Sequence, residues 1–146
     1  MRTTRHTIWI DRPREQVFAF FTDFSQASRW RQYVQSMTPV GPRPLGVGST
    51  IHTVIELNGA RQEFDLEVLT FDPPSVWRHR TFESDFSGFI EYRFDTEGKG
   101  TRVTLTISAK PTSLYGWLAM PIMLLHRNRS YTEQLPQLKS ALEGGV

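Results

Sequence analysis

From Leu142 back toward Ser113, steps of about 100° per residue bring Leu142, Leu138, Leu135, Tyr131, Leu124, Met120 and Trp117 to within about 40° of one line. That pattern is one apolar stripe on one long helix, and no other stretch of the chain carries helical periodicity of that length. The segment ahead of it, Ser49 to Lys110, alternates apolar and polar residues as strands do. A chain built this way has a sheet and a helix to bury against each other, so its function is expected in the space between them. Pro121 and Pro136 each remove a backbone donor and are expected to kink or segment the helix.

The strands can be taken in order. Thr3 to Ile10 reads as an opening strand with His6, Ile8 and Ile10 on its buried side. Asp11-Arg12-Pro13 breaks it, with Asp11 as an N-cap for a helix whose core side is Val17, Phe18 and Phe21. Asp23 or Ser25 caps a second short helix through Trp30, Val34 to Val40 is a short edge strand, and the Pro- and Gly-rich stretch Pro39 to Gly48 is loop. Thr50 to Leu57 and Ala60 to Phe71 are joined by Asn58-Gly59, the strongest hairpin signal in the chain. After the turn Asp72-Pro73-Pro74 come strands at Val76 to Glu83, Phe86 to Asp95 and Val103 to Ala109. Their short connections predict an antiparallel meander with one solvated face, and Arg78 and Arg80 belong on that face. Thr50 to Leu57 stays ambiguous, because Ile51, Ile55 and Leu57 compete with His52, Val54 and Glu56 for the inner side.

Totals exclude several classes of function. A length of 146 residues suits one domain, residues 1–146. The formal charge is only +2 and its basic residues are scattered, so no stripe for nucleic acid forms. With no cysteine there is neither a thiolate nucleophile nor a thiolate zinc site. His6, His52, His79 and His126 lack the spacing of a metal motif, and Gly46-Val47-Gly48 precedes a strand rather than a helix. No metal and no cofactor are therefore expected. Met1 to Asp11 has no signal-peptide core, and the apolar run Leu118 to Leu125 falls far short of the ~20 residues of a membrane span. A soluble, cytoplasmic protein is expected.

In order and spacing, several short motifs resemble the START-like superfamily, also labelled SRPBCC or polyketide cyclase/dehydrase and lipid transport. They are Asp11-Arg12-Pro13-Arg14-Glu15-Gln16-Val17-Phe18 after the first strand, then Asp23 and Trp30, Gly48, the Asp72-Pro73-Pro74 turn, and Gly100-Thr101-Arg102-Val103-Thr104. Arg12 stands where the family pattern has alanine. The resemblance implies an α+β helix-grip fold: a seven-stranded antiparallel sheet wrapped around a long C-terminal helix, with two short helices after the first strand and a deep cavity. It also implies binding of hydrophobic small molecules, on a scaffold that serves enzymes and carriers alike.

On the predicted inner faces, Phe64, Leu66, Trp77, His79, Thr81, Ile90 and Tyr92 from the sheet and Leu124, Asn128 and Tyr131 from the helix are the candidate ligand contacts. The expected function is carriage or sequestration of a small hydrophobic molecule such as a lipid, polyketide or quinone, because apolar inner residues outnumber convergent ionisable ones. The alternative is a cyclase, dehydratase or hydrolase in the same cavity, with His79, Tyr92 and Glu56 as its acids and bases. A third reading is a protein-interaction module. Transient membrane contact through Trp117 to Leu125 is a further expectation, and the oligomeric state is left open.

Overall fold

A computed structural model describes residues 2–81 and 85–144. The order of elements is β1 (Arg2–Ile10), α1 (Arg14–Thr22), a 3-10 turn (Phe24–Gln26), α2 (Ala27–Trp30), β2 (Val34–Pro39), β3 (Thr50–Leu57), β4 (Ala60–Asp72), β5 (Val76–Thr81), β6 (Phe86–Glu97), β7 (Gly100–Pro111), α3 (Leu114–Thr132) and α4 (Gln134–Glu143). The end of the strand expected through Glu83 lies outside the described residues. All seven strands form one antiparallel sheet in the order β1-β7-β6-β5-β4-β3-β2. Consecutive strands from β2 to β7 are neighbours, as their short turns require, and β1 closes on β7 across nearly the whole sequence. At the β3–β4 turn both Asn58 (φ +53°) and Gly59 (φ +79°) are left-handed, the conformation for which an Asn-Gly pair is best suited.

Alternation sends one set of side chains to the concave face. Ile10, Ile51, Leu66, Val68, Trp77, Ile90, Tyr92, Phe94, Val103, Leu105 and Ile107 are buried there, against Val17, Phe18 and Phe21 of α1 and Leu135, Leu138 and Leu142 of α4. Each such side chain contributes roughly 1.5–3 kcal/mol by leaving water. The strand left ambiguous by sequence turns Ile51 and Thr53 inward. His52 faces out, its two ring nitrogens 2.8 Å from Asp65 and 3.0 Å from Glu63. Close approach of β6 to β7 depends on Gly88 (φ +145°), since a Cβ there would sit 2.0 Å from the Ser108 carbonyl oxygen.

Three sequence expectations need correction. The cap of α1 is Pro13 rather than Asp11. Asp11 instead donates its backbone N–H to Glu143 at 2.8 Å, and its carboxylate pairs with Lys99 at 3.4 Å, so it ties the end of β1 to α4. The single C-terminal stripe is divided between α3 and α4, and the division falls at Glu133 rather than at a proline. Pro136 sits in the first turn of α4, where its missing N–H would have had no helical partner anyway. Pro121 lies inside α3 without ending it.

Trp117 is the third correction. Met120 and Leu124 pack on Ala109 of β7 in a small second cluster, but Trp117 is 64% exposed. It shares the outward side of α3 with Leu114, Tyr115, Leu118, Ile122 and Leu125, all at least as exposed. Among the described residues no helix is long and apolar enough to cross a membrane.

Candidate functional site

Strand register builds the middle of the concave face. In the β5–β6 pair, Trp77 lies opposite Tyr92 and His79 opposite Ile90. Trp77 Nε1 donates to His79 Nδ1 at 2.8 Å, so the proton of a neutral His79 resides on Nε2. That nitrogen faces the Tyr131 hydroxyl at 3.4 Å. His79 is fully buried, and burial first, then the charges of Arg31 and Arg127, lower its pKa to about 3. At neutral pH it is therefore an uncharged donor and a weak base.

Tyr92 completes this wall with a hydroxyl that is buried and has no hydrogen-bond partner. Burial holds its pKa well above the ordinary phenol value. Phe21 of α1 packs on the Tyr92 ring with 4.5 Å between centroids, and on Trp77 at 6.0 Å. Arg31, immediately after α2, lies on the same phenylalanine. Its guanidinium carbon is 4.7 Å from the Phe21 centroid, 4.4 Å from Trp30 and 5.8 Å from Phe24.

One Arg31 nitrogen, Nη2, donates to the Phe21 carbonyl at 3.1 Å, whereas Nε has no partner. Desolvation lowers its pKa to about 10, against the smaller opposing influence of Tyr92 and Tyr131. Among the described residues the one buried carboxylate is Glu91. It belongs to the outer face, where Arg78 and Arg93 pair with it.

Of the residues singled out from sequence, Trp77, His79, Ile90, Tyr92 and Tyr131 are brought together. Thr81 joins Ile90 and Tyr131 along a narrow cleft between the end of β5, the start of β6 and α3. Phe64 and Leu66 share the concave face farther along the sheet. Leu124 belongs to the second cluster with Ala109 and Met120. Asn128 turns away from His79 toward β1, where its side-chain oxygen accepts from Thr4 at 2.5 Å and His6 at 3.2 Å. Glu56 is exposed and hydrogen-bonded to Gln35, so it does not meet His79 or Tyr92. Arg31 escaped the sequence reading because it lies in no periodic element. Its one signal was its place beside Trp30 at the end of a helix too short to show a pattern.

Little space is left in the middle. The cleft at Thr81, Ile90 and Tyr131 has room of about 20 Å³, enough for one water. A far larger concavity, about 810 Å³ and open to solvent, lies where α2 and the start of β2 meet α4. Trp30, Arg31, Gln32, Tyr33, Pro136 and Gln137 are among its walls. Arg31 thus stands between the outer groove and the aromatic interior.

A family model described as polyketide cyclase / dehydrase and lipid transport matches residues 1–143. No curated protein matches the sequence. Among solved structures, TTHA0849 from Thermus thermophilus has a TM-score of 0.76 at 22% identity, with 99% of this chain and 100% of that one covered. The Zhui aromatase/cyclase from Streptomyces sp. R1128 has a TM-score of 0.76 at 16% identity, with 97% and 93% covered. Protein NE0264 from Nitrosomonas europaea has 0.78 at 12%, with 97% and 94% covered. At such identities the likeness is one of fold: a seven-stranded sheet gripping C-terminal helices.

Proposed function

The chain belongs to the polyketide cyclase/dehydrase and lipid transport family, and from that premise we propose that it binds a small hydrophobic molecule, such as a lipid, polyketide or quinone, between its sheet and helices. The observation that carries this reading is the Tyr92 hydroxyl, buried without a partner on the ring that Phe21 packs against. Leaving such a group unpaired costs about 1–3 kcal/mol. A ligand oxygen at that point would remove the penalty while the surrounding rings hold an apolar body.

Carriage or sequestration is favoured over catalysis by the state of His79. With a pKa of about 3 it offers little driving force for taking a proton at neutral pH, and Glu56 on the outer surface cannot assist it. Entry past Tyr131 needs its ring to move, since the cleft it shares with Thr81 and Ile90 holds no more than a water. Native mass spectrometry of protein purified from its source, followed by solvent extraction, is expected to show one small apolar molecule per chain. Protein that arrives empty, and whose tryptophan emission responds to no lipid, quinone or polyketide, would falsify the reading.

Loading from a membrane belongs to the same proposal. The outward side of α3 is apolar, and the helix contains no Asp or Glu but carries His126, Arg127 and Arg129 near its end. That composition suits the interface of an anionic bilayer. Phosphatidylglycerol vesicles are expected to shift the emission of Trp117 to the blue, and an unchanged spectrum would remove this step.

A further inference from the structure

Three side chains of the interior carry donors, and one of the donors is a cation. His79 presents an N–H at Nε2, Tyr92 an unpartnered O–H, and Arg31 an N–H at Nε with no acceptor. The Arg31 charge lies near enough to act on both other groups. Its compensation consists of one backbone carbonyl and the faces of three aromatic rings. Cation–π contacts offset part of the cost of a desolvated guanidinium, but a buried cation is ordinarily matched by an anion, and separation from that partner is strongly destabilising. Among the described residues no carboxylate fills that role: the buried one, Glu91, is committed to Arg78 and Arg93.

We infer that the ligand is an anion, an apolar or aromatic body ending in a carboxylate or an ionised enol, with the charged oxygen on Arg31 and the body along Phe21, Trp77 and Tyr92. The inference rests on the interior binding reading above and assigns it a charge. Charged oxygen on guanidinium makes the stronger, shorter class of hydrogen bond, and the aromatic walls exclude the water that would weaken it. A neutral lipid or an uncharged quinone would leave the Arg31 charge as uncompensated as it is now. Arg31 also borders the outer groove.

Three probes separate the possibilities by isothermal titration at pH 7: 2-naphthoate for a carboxylate, 4-hydroxycoumarin for an ionised enol, and methyl 2-naphthoate as the neutral control. At least one of the two anions is expected to bind the wild-type protein roughly tenfold tighter than the ester, and the tighter of the two identifies the head group. Arg31→Met is expected to abolish that preference, the favoured anion then binding no tighter than the ester. Should the variant fail to fold, the wild-type comparison decides alone. Ester binding as tight as both anions overturns the charge assignment and leaves the binding reading standing. If none of the three binds, this inference falls, and the binding reading is decided by the native mass spectrometry above. A loss on Arg29→Met equal to that on Arg31→Met would put the anion in the outer groove and overturn the interior assignment.

Discussion

Phe21→Ala is expected to destabilise the protein by about 3–5 kcal/mol, the range for losing a well-packed aromatic ring from a core. Phe21 is 1% exposed and its ring is in contact range of Trp30, Trp77, Tyr92 and Phe94. These neighbours come from α2 and two adjacent strands, so they cannot all move inward to fill the vacancy. A second cost comes from Arg31, whose guanidinium would lose one of the faces that compensate its burial. Phe20, one position earlier and half-buried, is the control and should lose far less. Urea unfolding of both variants measures the difference, and a Phe21→Ala loss no larger than that of Phe20→Ala would show that the interior relaxes freely around the missing ring.

The second large effect is a loss of stability in mild acid traceable to His79. Its unfolded pKa of 6.5 falls to about 3 in the folded chain. Between these values the unfolded chain takes up a proton that the folded one refuses. The contribution is fully present above pH 6.5 and declines as pH falls toward 3, by about 1.4 kcal/mol per pH unit. From pH 6.5 to 5 the decline is about 2 kcal/mol. Arg31 and Arg127 face His79 and deepen the effect, whereas Trp77 Nε1, which donates to Nδ1, locks the neutral tautomer. His52 has the opposite sign: hydrogen bonds to Asp65 and Glu63 raise its pKa, so its contribution is present in acid and declines as pH rises. Unfolding midpoints at pH 7 and 5 for wild type and His79→Gln isolate the His79 effect, and equal slopes in the two proteins would refute it.

The sheet was readable from sequence because a half-buried strand writes its two faces into alternate residues. That rule alone points Leu66, Trp77, His79, Ile90 and Tyr92 inward. Where both faces of a strand look alike, the rule fails, and β3 is the case: Ile51 and Val54 are both buried although they have opposite parity. The helical stripe was also real, but periodicity cannot register a break in the middle of a repeat. The chain divides at Glu133, which has no helix-breaking chemistry, and continues through Pro121, which has.

The site was less legible for a different reason. A ligand-contacting residue on a strand inherits its direction from the pattern, so the sheet side of the interior could be named in advance. Residues on α3 are harder to place: Asn128 and Tyr131 are three apart and read from sequence as one inner face, yet one reaches β1 and the other β5. Arg31 could not be named at all, because an isolated arginine after a one-turn helix reads as solvated. Its burial is a product of the whole fold.

The pairing of β1 with β7 has a consequence for the order in which the chain is made. Arg2 stands opposite Ala109 and Ile10 opposite Thr101, and Lys139 and Glu143 of α4 hold the end of β1 from still later in the chain. While the protein is being synthesised, strands β2 to β6 emerge beside partners already present or next to appear, but β1 waits with both edges bare until β7 leaves the ribosome. At ordinary elongation rates of roughly 5–20 residues per second, that wait lasts on the order of ten seconds. β1 is thus made long before the partner that pairs with it, and Arg2 and Arg5, both exposed, supply the charge that keeps an unpaired edge from recruiting a stranger.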